Sequence, residues 1–234
     1  MSNNPAGGLA VVTGATGGIG LAIVQRLLDA GWQVAGLDIG PAVARHAAYR
    51  HITVDLCDEV AIRQALDSCK QARALVHAAG IMRVGPLAQL DPVDGERMWK
   101  LHVDVAVKLA QLLTPDMAER GDGRVVLVGS RTAQGMPGRS QYAASKAALV
   151  ALARSWAAEL ASQGVTVNVV SPAATQTGML QDPARAASAP RMPPIGRLIQ
   201  PEEVAALVEF LLSPQAAAIT GQDIAICGGA SLPR

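Results

Sequence analysis

The chain has 234 residues, half of them apolar, a net charge of +1, and only one Phe and two Tyr. That length fits one large α/β domain whose core is built mainly from Ala, Val, Leu and Ile, and the near-neutral charge gives no reason to expect nucleic acid or an anionic membrane as partner. Three scattered cysteines without metal-ligand spacing suit reduced thiols in the cytoplasm, the polar stretch 1–8 lacks the apolar run of a signal peptide, and no uncharged apolar stretch reaches the length of a membrane span.

The first apolar run, 9–12, feeds directly into Thr13-Gly14-Ala15-Thr16-Gly17-Gly18-Ile19-Gly20, and a helical pattern follows over 21–30. A buried strand, a glycine-rich turn and a helix form an anion-binding arrangement. The glycines let backbone approach a pyrophosphate, and the helix N-terminus offers free N–H groups and a positive dipole end. The next strand, 33–37, ends at Asp38, about twenty residues beyond the turn, where a ribose-binding carboxylate is expected. Further strands are predicted at 51–54, 74–77, 124–128, 165–170 and 223–226, with helices at 61–70, 96–119, 141–162 and 202–212. Strands alternating with helices predict βαβ crossovers. The fold class is therefore α/β, a doubly wound parallel sheet of about seven strands with the dinucleotide site at the first strand. No repeat or linker divides 1–234, which reads as a single dinucleotide-binding and catalytic domain. The irregular stretch 177–200, rich in Pro, Ala and Arg, follows the sixth strand and is expected to form a substrate lid.

A second constellation joins Ser130, Tyr142 and Lys146. On the predicted helix 141–162, Tyr142 and Lys146 stand four apart on one face. A phenol with an ordinary pKa of about 10 exchanges protons poorly near neutrality. A lysine ammonium about 4 Å away, at an effective dielectric of about 20, favours the phenolate by roughly 4 kcal/mol, up to about 3 pKa units. That brings Tyr142 into the range of a general acid/base. Ser130, at the end of the fifth strand, is placed to hydrogen-bond the substrate oxygen whose proton Tyr142 transfers.

With these motifs the chain resembles the short-chain dehydrogenase/reductase family over nearly its whole length, as far as Gly221-Gln222-Asp223 and Gly228-Gly229. The family's T-G-x-x-x-G-x-G matches Thr13 to Gly20, its Y-x-x-x-K matches Tyr142 to Lys146, and Ser130, twelve positions before the tyrosine, falls at the catalytic serine. The resemblance implies Tyr142 as acid/base, Lys146 as the residue that lowers its pKa and holds the nicotinamide ribose, and Ser130 as the group positioning the substrate oxygen. It makes Gly14, Thr16, Gly18, Ile19 and Gly20 cofactor-binding, sets Asp55 and Leu56 beside the adenine, and places Pro172 and Thr177 over the nicotinamide. Where the family has N-N-A-G after the fourth strand, this chain has His77-Ala78-Ala79-Gly80; the backbone of Ala78, Ala79 and Gly80 is expected still to approach the ribose. Ala173 replaces the usual glycine after Pro172. In the helix 96–119 the family's catalytic asparagine aligns with His102. A histidine there is expected either to support a helix carbonyl and relay a proton through its other nitrogen, or only to pack.

Other polar residues have plainer readings. Arg131 and Arg139 flank the Ser–Tyr segment as surface or subunit contacts, with contact to an anionic substrate as the alternative. In the lid, Arg185, Arg191 and Asp182 read as solvated charge, and Arg197 belongs to a structural segment before Pro201. His46 and His51 have no companion ligand at metal spacing, and no metal is expected. The leading expectation is an NAD-dependent oxidoreductase interconverting a secondary alcohol, or cyclic diol, and a ketone, with Asp38 favouring NAD over NADP. The alternatives are a carbonyl reductase of the 3-oxoacyl thioester type, and an NAD-binding sensor or scaffold with weak catalysis. The resemblance also implies a homo-oligomer, tetramer or dimer, with Trp99 and Trp156 as interface anchors or as core. The expected partner is a small alcohol or ketone, whose identity lid loops vary too freely to reveal.

Overall fold

The inner strands are apolar throughout rather than alternating. β5 (Gly123–Val128) and β6 (Val165–Pro172) are buried at every position, so both faces of the sheet must be covered. The computed structural model describes residues 7–182 and 191–232. Within them β1 (Leu9–Thr13), β2 (Gln33–Asp38), β3 (Tyr49–Thr53), β4 (Ala72–His77), β5, β6 and β7 (Asp223–Ile226) form one sheet of order β3-β2-β1-β4-β5-β6-β7. Every pairing is parallel, which is the doubly wound arrangement expected. On one face, α2 (Glu59–Leu66), α4 (Val105–Glu119) and α5 (Ser140–Leu160) pack Ile62, Leu109 and Leu149 into a core with Val11, Leu75 and Val167. On the other, α1 (Gly18–Asp29) and α6 (Pro201–Leu212) pack Ile23, Leu27, Val204 and Leu211 against Val12 and Val126. No helix of the described residues is long and apolar enough to cross a membrane.

Element ends differ from the periodicity where caps decide them. The helix expected at 61–70 begins at Glu59, because the Asp58 side chain accepts from Val60 N and Ala61 N, and it ends at Leu66. The long helix expected over 96–119 is two helices. α3 (Pro92–Trp99) starts earlier, capped by Asp91, and a π turn at Lys100–Asp104 joins it to α4. Single π turns of this kind gather at functional sites, and His102 lies inside this one. Trp99 is exposed, and Trp156 is half-buried against the first core.

Of the stretch 177–200, residues 183–190, Arg185 among them, lie outside the described residues. Residue 182 is not solvated charge: Asp182 pairs with Arg83 at 3.0 Å. Arg197 is structural, as expected. Its guanidinium takes both oxygens of Glu203 at 2.7 and 2.9 Å, while Glu203 also accepts from Gln200 N in the capping box of α6.

Candidate active site

The strand order reverses between β1 and β4, and the loops leaving these strands part to open a cleft of about 1050 Å³. One end is the glycine-rich turn. Gly14 has φ +67°, and a Cβ there would come within 2.8 Å of Ala79 N. A Cβ on Gly20 would strike the Gly14 carbonyl, and one on Gly18 would meet the Thr177 side chain at 2.5 Å. Glycine is therefore required on both counts, conformation and space, and the N-terminus of α1 is left facing the cleft with its first N–H groups unpaired within the helix. This cradle, which any side chain would fill, fits a dinucleotide pyrophosphate.

Asp38 closes the same end. Its Oδ2 accepts from Thr16 N at 3.0 Å and its Oδ1 from Gly40 N at 2.9 Å. Partial burial works against its charged form, but the hydrogen bonds from Gly40 and Thr16 outweigh it and hold the carboxyl below its ordinary value. Asp55 and Leu56, just beyond β3, line the cleft beside it.

The loop after β4 is held by side chains from beneath. Thr13 Oγ1 accepts from Ala78 N and Ala79 N, each at 3.1 Å, so its own hydrogen goes to His77 Nδ1 at 2.9 Å. His77 Nε2 then donates to the carbonyl of Leu101, in the π turn, at 3.2 Å. These partners fix a neutral imidazole with its hydrogen on Nε2. Burial first, and the nearby Lys146 second, push the His77 pKa down to about 3. Ala78, Ala79 and Gly80 line the cleft as expected. That His77 ties them to the π turn was not legible from the motif, which marks the position only as a departure.

Tyr142 and Lys146 enter the cleft from the first two turns of α5, 6% and 4% exposed. Lys146 Nζ donates to the Val128 carbonyl at 2.8 Å and lies 5.9 Å from the Tyr142 ring centroid. Burial pushes this lysine down to about 7. Near neutrality its charge is thus adjustable, and in its charged form it favours a phenolate beside it. Ser130, the residue that caps the turn after β5, accepts from Thr132 N at 3.1 Å through Oγ, which leaves its hydroxyl hydrogen for a ligand. Ser130, Tyr142, Lys146, Pro172 and Thr177 share the cleft wall with the turn residues Gly14, Thr16, Gly18, Ile19 and Gly20.

His102 does not line the cleft. It is fully buried behind it. Ser145 Oγ gives its hydrogen to the Tyr142 carbonyl at 2.9 Å, so it accepts from His102 Nδ1 at 2.9 Å, and His102 Nε2 accepts from Ile81 N at 3.1 Å. The ring also meets Tyr142 edge to face at 5.6 Å. Burial, with Lys146 and His77 nearby, holds its pKa well below the usual range. Both ring nitrogens are thus engaged within the protein, Nδ1 with Ser145 Oγ and Nε2 with Ile81 N. The expected carbonyl partner is corrected, because the ring supports an N–H and a hydroxyl instead. Gly80 makes room for this arrangement, since a Cβ on it would lie 3.0 Å from His102 Nε2 and 3.6 Å from Lys146 Nζ.

The two neutral histidines give a pH signature. Between 6.5 and about 3 the unfolded chain binds a proton on residue 77 that the native state refuses. The contribution of His77 to stability is therefore complete above 6.5 and declines as the pH falls toward about 3, at roughly 1.4 kcal/mol per pH unit. His77→Asn, which titrates nowhere in this window, is expected to flatten the pH dependence of urea unfolding by about that slope. Equal slopes in parent and variant would show that His77 is not held neutral.

Arg131 and Arg139, read first as surface or subunit contacts with an anionic substrate as the alternative, line the cleft; so do Arg191 and several methionines, which the sequence reading did not place there.

A family model described as enoyl-(acyl carrier protein) reductase matches residues 14–231. The chain is 33% identical over 240 residues to 3-oxoacyl-[acyl-carrier-protein] reductase FabG of Vibrio harveyi, covering 97% of this chain and 98% of that one. It is likewise 33% identical over 246 residues to 2,3-dihydroxy-2,3-dihydro-p-cumate dehydrogenase of Pseudomonas putida, covering 97% and 95%. A solved short chain dehydrogenase/reductase family protein superposes with a TM-score of 0.87 at 31% identity, over 98% of this chain and 100% of that one. With the glycine cradle, the parallel sheet and the Ser–Tyr–Lys set already in place, the chain belongs to the short-chain dehydrogenase/reductase family of nicotinamide-dependent oxidoreductases.

Proposed function

We propose that this oxidoreductase uses NAD to interconvert a secondary alcohol, or cyclic diol, and a ketone, with Tyr142 as the general acid/base. The observation that carries the reading is the burial of Tyr142 and Lys146 together in the wall of the cleft that the glycine cradle opens onto. Gly14, Thr16, Gly18, Ile19 and Gly20 would hold the pyrophosphate, Asp38 the adenosine ribose, Asp55 and Leu56 the adenine surroundings. The backbone of Ala78, Ala79 and Gly80, with Lys146, Pro172 and Thr177, would hold the nicotinamide half. A dinucleotide held there would supply the hydride acceptor for the alcohol carbon or the hydride donor for the carbonyl. Ser130 donates a hydrogen bond to the substrate oxygen, Tyr142 takes the alcohol proton or returns it, and Lys146 stabilises the phenolate between the two.

A carbonyl reductase of the 3-oxoacyl thioester type is the second reading, favoured by the similarity to an acyl-carrier-protein reductase. The bonds of His102 to Ile81 and Ser145 support a catalytic reading over the NAD-binding sensor or scaffold. We place the lid at 177–200 on a chain working as one domain. The exposure of Trp99 and the edge position of β7 support a homo-oligomer.

Cofactor choice rests on Asp38. The carboxylate accepts from ribose hydroxyls and repels the extra phosphate of NADP, and no Lys or Arg occurs from Thr13 to Gly20 to neutralise that phosphate. Because Asp38 also secures Thr16 and Gly40, its loss weakens binding of both cofactors, and the ratio is the informative readout. Asp38→Ala is expected to narrow the NAD preference in kcat/KM by at least about tenfold, roughly 1.4 kcal/mol. A parent protein that already prefers NADP would overturn the assignment.

A further inference from the structure

Beyond Ser130 and Tyr142 the cleft has two unlike walls. One is apolar and deformable. Met82, Met98 and Tyr142 form a buried cluster against which Ile81, Val84 and Met179 pack. Of these, Ile81, Met82, Tyr142 and Met179 line the cleft, and so do Met136 and Met192. Unbranched thioether side chains adapt to irregular apolar shapes at little cost.

Another part of the lining is cationic. Arg131 follows Ser130 directly, and its Nη1 donates to the Ala230 carbonyl at 3.2 Å. That carbonyl belongs to the turn 227–230, closed by Ala230 N donating to Cys227 O at 2.9 Å. The segment that carries Arg191 rests on the same turn. Ile195 N donates to Gly228 O at 3.1 Å, and a Cβ on Gly228 would meet Ile195 at 2.6 Å and Pro193 at 3.1 Å. Arg131 and the segment that carries Arg191 thus both meet the turn 227–230, and Arg131, Arg139 and Arg191 all line the cleft.

Acids are placed elsewhere. The carboxylates lining the cleft, Asp38 and Asp55, both belong to its nucleotide end. The ion pairs of the described residues include neither Arg131 nor Arg191. Asp182, the one acid in the sequence 177–200, is engaged by Arg83. Two guanidinium forks that no carboxylate of the described residues pairs, in the lining of the cleft that Ser130 also lines, form a receptor for an anion.

We propose that the substrate is a secondary alcohol, or its ketone, that carries an anionic group on an apolar body, the anion held by Arg131 and Arg191 and the body by the methionine wall. This rests on the alcohol–ketone reading above and names its substrate class. The test uses matched pairs, aliphatic hydroxy acids and their methyl esters for turnover with NAD, and the corresponding keto acids and esters for binding to the enzyme–NADH complex. The parent is expected to favour the acid over the ester by at least about tenfold in kcat/KM, and Arg131→Gln and Arg191→Gln each to reduce that ratio by about tenfold. Arg191→Lys is expected to keep part of it, because a point charge remains without the fork. An acid-to-ester ratio near one in the parent, or a ratio unmoved by both glutamine variants, would overturn the proposal. Binding separates the two readings. If neither member of a pair is turned over but the keto acid binds the NADH complex in preference to its ester, and the arginine variants abolish the preference, the anion site stands while the alcohol–ketone reading fails. Equal binding of acid and ester overturns the anion site by itself.

Discussion

Tyr142→Phe is expected to lower kcat by about a hundred- to ten-thousand-fold, the usual contribution of a positioned proton donor and acceptor, while NADH binding stays near that of the parent. The phenyl ring keeps the contacts that hold residue 142 in place, the packing on Met82 and Met98 and the edge-to-face meeting with His102. The helix also keeps the Ser145 bond to the carbonyl of residue 142, since that bond uses backbone. What disappears is the hydroxyl alone. NADH fluorescence titration reads whether the cofactor half of the cleft survives, and steady-state kinetics reads the chemistry. Near-normal turnover in a variant that binds NADH normally would remove Tyr142 from the reaction.

His102→Leu carries the second large effect. Leucine fills similar space but leaves Ile81 N and the Ser145 hydroxyl without the partners they have now. A buried polar group stranded in this way costs about 1–3 kcal/mol. The cost falls on the segments that place substrate-side backbone and the first turns of α5, so kcat is expected to fall at least about tenfold, with a lower unfolding midpoint. His102→Asn, whose amide offers both a donor and an acceptor, is expected to recover most of the rate. Because both imidazole nitrogens are already engaged, the asparagine variant should also keep the parent's pH–rate profile. A profile altered in that variant at undiminished maximal rate would show a proton relay through His102; a leucine variant indistinguishable from the parent would reduce His102 to packing.

Much of this site is legible in residue order because its parts are local. The glycine turn needs glycine where it does for reasons of φ and close approach, and the distance from Gly20 to Asp38 follows from one helix and one strand. Tyr142 and Lys146 share a helix face, so a spacing of four suffices to pair them. What was not legible depends on groups meeting across the fold. His77 and His102 look like isolated departures from a motif. Only the packing of β4, the π turn and α5 shows His77 bridging Thr13 to Leu101 and His102 bridging Ile81 to Ser145. The π turn itself hides within a continuous helical periodicity, since one widened turn shifts the apolar stripe too little to read. Arg131 and Arg191 are sixty residues apart in the chain, and only the fold shows the turn 227–230 meeting both Arg131 and the segment that carries Arg191.

The most direct measurement is the steady-state reduction of NAD and of NADP by the parent protein over a panel of secondary alcohols, cyclic diols and hydroxy acids, with the corresponding ketones and reduced cofactors in the reverse direction. The expected result is substrate-dependent turnover with at least one member, faster with NAD than with NADP and lost in Tyr142→Phe. Normal binding of NADH with no substrate-dependent turnover by either cofactor in either direction, or turnover that survives in Tyr142→Phe, would contradict it.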